Sequence, residues 1–218
     1  MSQNYLNEVA YQKLRESIVK GVLMPGTHLS ENELANEYNM SRTPIRAAIS
    51  RLESEGLITS LKKRGFLVKN ISYNEILNIL EVQLMLRLYA LNSIKQQDLP
   101  CDLHALRQFL DKQIEASKND DYYEYISQSF MFSRFFISSV NNEAISAIYD
   151  SFRDRIIYYS VVNWKMTPHH KHYHANEINQ SIYKALIEKD YDIVQQKFNE
   201  SYQNARQRLI LQGVWSDI

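Results

Sequence analysis

Asn39-Met40-Ser41-Arg42-Thr43-Pro44-Ile45-Arg46-Ala47-Ala48-Ile49-Ser50-Arg51 reads as the end of one helix, a tight turn and the start of another. Ser41 offers an N-cap oxygen. Pro44 falls in the first turn, where a missing N–H costs little. Ile45, Ala48, Ile49 and Leu52 recur at helical spacing and form a buried stripe, and Gly56 supplies the stop. Arg42 and Arg46 stand one turn apart and so share a face. Arg51 lies further along, where it meets phosphate or pairs with Glu55 at i+4.

The flanks complete a small domain. Upstream, Val9, Leu14, Ile18 and Val19 follow a roughly helical pattern that Gly21 and Pro25-Gly26 break. Ser30 and Glu33 form a capping box for a second helix carrying Leu34, Ala35 and Tyr38, which ends near Asn39. Downstream the period changes. Leu57-Ile58-Thr59-Ser60 and Phe66-Leu67-Val68 are β-like, joined by the basic turn Leu61-Lys62-Lys63-Arg64-Gly65. Helix, helix, turn, helix and two-stranded hairpin predict a winged helix-turn-helix over residues 1–70.

The charge is placed where that domain needs it. The 218-residue chain has 25 basic and 25 acidic residues. Between Asn39 and Asn70, however, seven basic residues stand against Glu53 and Glu55, leaving this stretch at +5 and the rest at −5. A local basic block on a neutral protein is the electrostatic footprint of phosphate binding by one segment.

From Ser72 onward the sequence predicts helix after helix, near 73–97, 102–118, 121–139, 142–164, 170–189 and 190–212. The fold class is therefore mainly α: the winged head, then an all-helical bundle of six or seven helices over 71–218, joined by the short linker Asn70-Ile71-Ser72. The first bundle helix is apolar nearly all round, which places it centrally or at an interface. No apolar run is long enough to span a membrane, and Met1–Tyr11 has no signal-peptide core. The one cysteine, Cys101, excludes an intrachain disulfide and suits a reducing cytoplasm.

In a helix-turn-helix the second paired helix lies in the major groove and its first residues reach base edges. Arg42 and Arg46 are placed for bidentate guanine recognition. Ser41 and Thr43 suit phosphate, and Lys62, Lys63 and Arg64 on the hairpin suit the neighbouring backbone. Any one arginine alone reads as an ordinary solvated side chain. The cap, the proline, the paired arginines and the basic hairpin together read as a double-stranded DNA interface of Ser41, Arg42, Thr43, Pro44, Arg46, Arg51, Lys63, Arg64 and Gly65.

The segment from Ala10 to Val68 resembles the DNA-binding domain of the GntR family. The likeness rests on Gly21-Val22-Leu23-Met24-Pro25-Gly26, Leu29-Ser30-Glu31-Asn32-Glu33-Leu34-Ala35, Ser41–Ala48, Arg51–Ile58 and Arg64–Val68. The resemblance implies operator contacts from Arg42, Thr43, Arg46 and the wing glycine Gly65. It departs at Asn32, where some relatives carry a DNA-contacting arginine.

The helical remainder resembles the effector-binding and dimerising domain of the FadR subfamily, known as FCD. Many such domains hold a divalent metal on one aspartate and three histidines. Alignment on Phe132–Asn142 and Asp190 puts those positions at Ser129, Ser133, Asn179 and Ser201. Neutral hydroxyls and an amide are poor ligands for a transition metal, so no metal and no cofactor is expected. The effector pocket is then expected to use Gln83, Arg87, Ser129, Ser133, Arg134, Asn179 and Ser201, with Arg87 and Arg134 facing an acidic effector or forming salt bridges. Loss of the polar ligands also suits a more apolar molecule. His170 and His174, inside Pro168–His174, have zinc-compatible spacing if helical, although a surface cluster is the simpler account.

The expected function is a ligand-responsive transcription regulator, a repressor acting as a homodimer on a palindromic operator. One rival is a constitutive DNA-binding dimer whose pocket has decayed. Another is a helical enzyme with a DNA-binding head, against which the chain shows no nucleophile triad and no phosphate loop.

Overall fold

The computed structural model describes residues 3–62, 64–170 and 172–216, with side chains up to residue 211. In chain order the elements are α1 (Gln3–Val19), β1 (His28–Leu29), α2 (Glu31–Glu37), α3 (Arg42–Ser54), β2 (Ile58–Leu61), β3 (Gly65–Val68), α4 (Tyr73–Gln97), α5 (Leu103–Lys118), α6 (Tyr122–Ser138), α7 (Glu143–Ser151), α8 (Arg153–Met166), α9 (Ala175–Ile187) and α10 (Tyr191–Ser216). The protein is mainly α, with a small sheet in its N-terminal part.

The helix stops are written in short polar residues. Asn39, Asp98, Asp120 and Asn141 all take the left-handed conformation, with φ between 48° and 55°. Their side chains tolerate it better than most. Five of the described helices after the head begin on a side-chain cap: Ser72 accepts from Glu75 N–H, Asp102 from Ala105 N–H, Asp121 from Glu124 N–H, Asn142 from Ile145 N–H, and Asp190 from Ile193 N–H.

The chain forms two compact units, Met1–Ile71 with Asp154–Met166, and Ser72–Arg153 with Thr167–Ile218. In the first, Leu14 and Ile18 of α1, Ile45, Ile49 and Leu52 of α3, and Leu57 and Ile58 are fully buried. The sheet is antiparallel in the order β1-β3-β2, with Ile58 opposite Val68 and Leu61 opposite Gly65. The expected two-stranded hairpin thus has a third strand: His28 and Leu29 pair with Leu67 and Phe66. Two residues are too few to show an alternating pattern in the sequence.

Helix α8 belongs to this first unit. Asp154 forms a two-pronged ion pair with Arg15 of α1. The Tyr158 hydroxyl donates to the Lys69 carbonyl at 3.1 Å. The Lys165 ammonium donates to the carbonyls of Lys20 and Gly21 at 3.1 and 2.9 Å. A Cβ on Gly21, whose φ is +62°, would stand 3.2 Å from Val161 Cγ1.

The second unit is the helical bundle. Its core runs through Leu106, Leu110, Phe132, Phe136, Ile137 and Phe198, with the Phe136 and Phe198 rings 5.3 Å apart. Two expectations change here. The helix expected over 142–164 is interrupted at Phe152, where the backbone N–H turns back to Tyr149 and Asp150 carbonyls. The helix expected from residue 170 starts at Ala175, because Pro168–His170 forms a turn and bend and His172 and Tyr173 are irregular. Among the described residues no helix is long and apolar enough to cross a membrane.

Candidate nucleic-acid interface and bundle interior

The turn from Tyr38 to Ser41 delivers α3 with its first residues outward. Ser41, Arg42, Thr43 and Arg46 are all exposed, while Ile45, Ala48 and Ile49 are buried. Ser30 and Ser41 occupy the expected N-cap positions with extended backbone, but neither side chain makes a cap bond. Pro44 is a correction. It is buried, so it shapes the first turn of α3 and does not line the outward face.

A carboxylate that the sequence reading passed over organises this face. Glu31 opens α2 and accepts from Arg46 Nε at 2.8 Å and from Arg46 Nη2 at 2.8 Å. It also accepts from Arg42 Nη2 at 3.3 Å. The Glu31 side chain is only 15% exposed, against 62% for Arg46 and 59% for Arg42. Hydrogen bonding to Arg46, with Arg42 adding to it, holds the Glu31 carboxyl below the ordinary carboxylate range. The pairing is therefore complete at neutral pH and is lost only as pH falls through that lowered value.

Arg51 is tied into the domain. Its guanidinium stacks 3.5 Å from the Tyr11 ring centroid and bonds Glu8 at 3.0 Å and Glu55 at 3.2 Å. The Tyr11 hydroxyl donates to the same Glu55 carboxylate, at 3.0 Å to each oxygen. Burial first, then Glu55, pushes the Tyr11 hydroxyl up to about 12. This is a strut between α1 and α3.

On the wing, Lys62 and Arg64 are exposed, and Lys63 lies outside the described residues. Gly65 has φ +86°, and a Cβ there would meet His28 Nε2 and the Leu29 carbonyl at 2.9 Å. Only glycine fits both the turn and the close approach of β1.

The bundle interior is polar where the resemblance puts a metal. Asn179 Nδ2 donates to Gln113 Oε1 at 2.8 Å and to Ser129 Oγ at 3.3 Å. Gln113 Nε2 donates to Asn176 Oδ1 at 3.0 Å, and Asn176 Nδ2 to Ser117 Oγ at 2.8 Å. Two of the four aligned positions, Ser129 and Asn179, thus meet directly. Ser133 is hydrogen-bonded to Tyr149 instead. Among the described residues no hydrogen bond links Ser201 of α10 to the other three. Gln113 was missed, yet it continues the inward stripe of Leu106 and Leu110, and a glutamine on that stripe was the signal.

Arg87 is the outlier in this interior. It is 9% exposed, and its Nε donates to the Gln83 carbonyl at 3.3 Å within α4. Its guanidinium lies 5.2 Å from the Phe198 ring centroid. Among the described residues no carboxylate forms an ion pair with it, and burial pushes its pKa down. One turn away, Gln83 is 5% exposed and its Nε2 has no hydrogen-bond partner. Arg134, by contrast, bonds Asp150 at 2.8 Å beside a cleft lined by Ser138, Asn142 and Ser146.

The other sequence signals carry less. His170 lies in a bend and His172, Tyr173 and His174 are not helical, so the helical i, i+4 geometry assumed for His170 and His174 is not formed; Lys171 lies outside the described residues. Among the described residues no three His, Cys, Asp or Glu side chains gather as a metal site. Cys101 is half-buried, and burial raises its thiol pKa.

Two family models match this chain. The family model described as bacterial regulatory proteins, gntR family, matches residues 6–68. The FCD domain model matches residues 78–204. The chain is 26% identical over 204 residues to the gluconate operon transcriptional repressor of Bacillus subtilis, covering 92% of this chain and 83% of that protein. It is 31% identical over 122 residues to the transcriptional repressor RspR of Escherichia coli, covering 55% and 54%. Its fold is similar to the crystal structure of a putative transcriptional regulator GntR from Rhodococcus sp. RHA1, with TM-score 0.82 at 19% identity, covering 95% and 98%. It is also similar to E. coli McbR/YncC, with TM-score 0.69 at 22% identity, covering 97% and 99%.

Proposed function

The chain belongs to the gntR family of bacterial regulatory proteins, in the branch that carries an FCD domain, and from that premise we propose a metal-free, acid-responsive repressor that binds a twofold operator as a homodimer. As a member of that branch it is a ligand-responsive DNA-binding transcription regulator. One observation carries the assignment of its reading surface: Arg42 and Arg46 stand exposed at the start of α3, whose opposite face is buried in the head. Thr43 and Ser41 take phosphate beside them, and Lys62, Arg64 and Gly65 take the flanking backbone through the wing. A DNA-binding role supports a protein that works beside the chromosome, in the cytoplasm.

Homodimerisation is supported by Met85 and Tyr89 of α4, which are 55% and 51% exposed one turn apart on a helix otherwise rich in apolar residues. Twofold symmetry of the protein then matches a palindromic site.

The effector is an organic acid. Burying an unpaired cation costs on the order of several kcal/mol, and Arg87 bears that cost where the unpartnered amide of Gln83 can share an incoming anion. Arg87 supplies charge, Gln83 a donor, and the amides and hydroxyls around Asn179 and Ser133 suit a hydroxylated chain. A metal-free interior is supported by the chemistry of the aligned positions, since Ser129, Ser133, Asn179 and Ser201 offer only neutral hydroxyls and an amide. The Bacillus relative's name makes gluconate the first acid to test.

Selection of duplexes from a random pool by the purified chain tests the reading. A recovered sequence with two inverted half-sites, bound by a dimer in light scattering, is the expected result. Recovery of no sequence at any salt concentration overturns it. Thermal-shift screening with gluconate and related acids tests the pocket: stabilisation supports it, and indifference to every acid returns the protein to a constitutive DNA-binding dimer.

A further inference from the structure

The Glu31 carboxylate touches Arg46 in a stereochemically selective way. An arginine presents two forks of paired N–H bonds: a side fork on Nε and one terminal nitrogen, and an end fork on the two terminal nitrogens. Glu31 occupies the side fork of Arg46 with two bonds of 2.8 Å. The Nη1–Nη2 fork is left, and it matches the O6 and N7 acceptors of guanine.

The source of the restraint matters too. A surface arginine of 62% exposure would ordinarily sample many rotamers. Its partner here is only 15% exposed and sits on a different helix. The clamp is therefore a tertiary contact between α2 and α3, and a bidentate one, which fixes the plane of the guanidinium as well as its position. The same carboxylate also takes Arg42 Nη2. Glu31 thus lowers the net charge of the reading face, which no residue serving phosphate affinity would do.

We propose that Glu31 is a positioning residue for sequence readout, holding Arg46 so that it meets a guanine through its terminal fork alone. Specificity rises because Arg46 is ordered before it meets DNA, and a base that cannot accept from that fork finds no alternative arginine pose. Phosphate affinity falls, because one negative charge is kept beside the groove. This inference rests on the DNA-reading assignment made above.

The test uses the full chain and a duplex that the wild-type chain has itself selected from a random pool. Wild type, Glu31→Gln, Glu31→Asp, Arg46→Ala and the double variant Glu31→Gln/Arg46→Ala are titrated against that duplex. They are also titrated against versions with each guanine replaced in turn, and against an unrelated duplex, at several salt concentrations.

Glu31→Gln is expected to lower the ratio of selected to unrelated affinity about tenfold, a loss of ~1.4 kcal/mol. Its affinity for unrelated duplex stays level or rises. The lost discrimination falls at the base pair where Arg46→Ala also loses it, and Glu31→Gln adds nothing there once Arg46 is gone. Glu31→Asp keeps the charge but withdraws the carboxylate by one methylene, so it loses the same discrimination without raising unrelated affinity.

An unchanged ratio overturns the proposal. So does a loss spread evenly over all base pairs, or an equal loss in the Arg46→Ala background, since each marks a merely structural role. Equal tightening on both duplexes makes Glu31 an electrostatic brake and overturns it as well. If wild type selects no sequence, it is the DNA-reading assignment that fails.

Discussion

Two arginines, Arg46 in the head and Arg87 in the bundle, show opposite solutions to the same problem. Arg46 is exposed and has a carboxylate on two of its nitrogens. Arg87 is buried and, among the described residues, has none. Water screens the Arg46 side of the first pairing, while the largely buried Glu31 carboxylate fixes its geometry. The second site has little water to soften its charge, so its cation is a standing demand for an anion. On the proposed function, the first gives a surface that meets DNA already arranged and the second an interior whose charge an acidic effector balances.

The comparison breaks first at Arg87. Arg87→Met keeps the volume and removes the charge, so the unliganded chain should gain about 1–4 kcal/mol of stability, read by denaturant unfolding. The same variant should lose all thermal stabilisation by organic acids while still binding its operator. A destabilised Arg87→Met would mean that the guanidinium is satisfied within the fold.

Arg46→Ala tests the other side. Operator discrimination should fall by about 1–3 kcal/mol, measured as the affinity ratio of selected to unrelated duplex, with thermal stability changed little. If instead this variant unfolds several degrees earlier, Arg46 is a structural residue and the contrast with Arg87 disappears.

Arg51→Ala sharpens the contrast at its smallest expected effect. Its ion pairs are half-exposed and contribute about 0–1 kcal/mol. The cost should appear in stability as α1 loosens from α3, with sequence preference intact. A lost preference at a particular base pair would return Arg51 to the reading surface.

The difference between the two regions also governs how much was legible. The head is legible because its signals are local. Asn39 turns the chain, Pro44 opens a helix, and Gly65 permits the wing to pass close to Leu29. Helices α4, α5 and α6 were legible because Asp98, Asp120 and Asn141 end them in a conformation that short polar residues favour.

What stayed hidden was set by contacts distant in sequence. Glu31 and Arg46 are fifteen residues apart and Gln113 and Asn179 sixty-six, and no spacing rule joins either pair. The interruption at Phe152 lies in a stretch without glycine or proline. The strand His28–Leu29 exists because β3 offers it an edge, and its own two residues show no β pattern.

Helix α8 gives the head an order of birth. Its Asp154, Tyr158 and Lys165 hold Arg15, the Lys69 carbonyl and the Gly21 turn, yet they are translated only after residues 72–153. A nascent chain leaving the ribosome therefore displays its helix-turn-helix before the brace that finishes it exists. A gene fragment cut at residue 71 would freeze the protein at that unfinished stage.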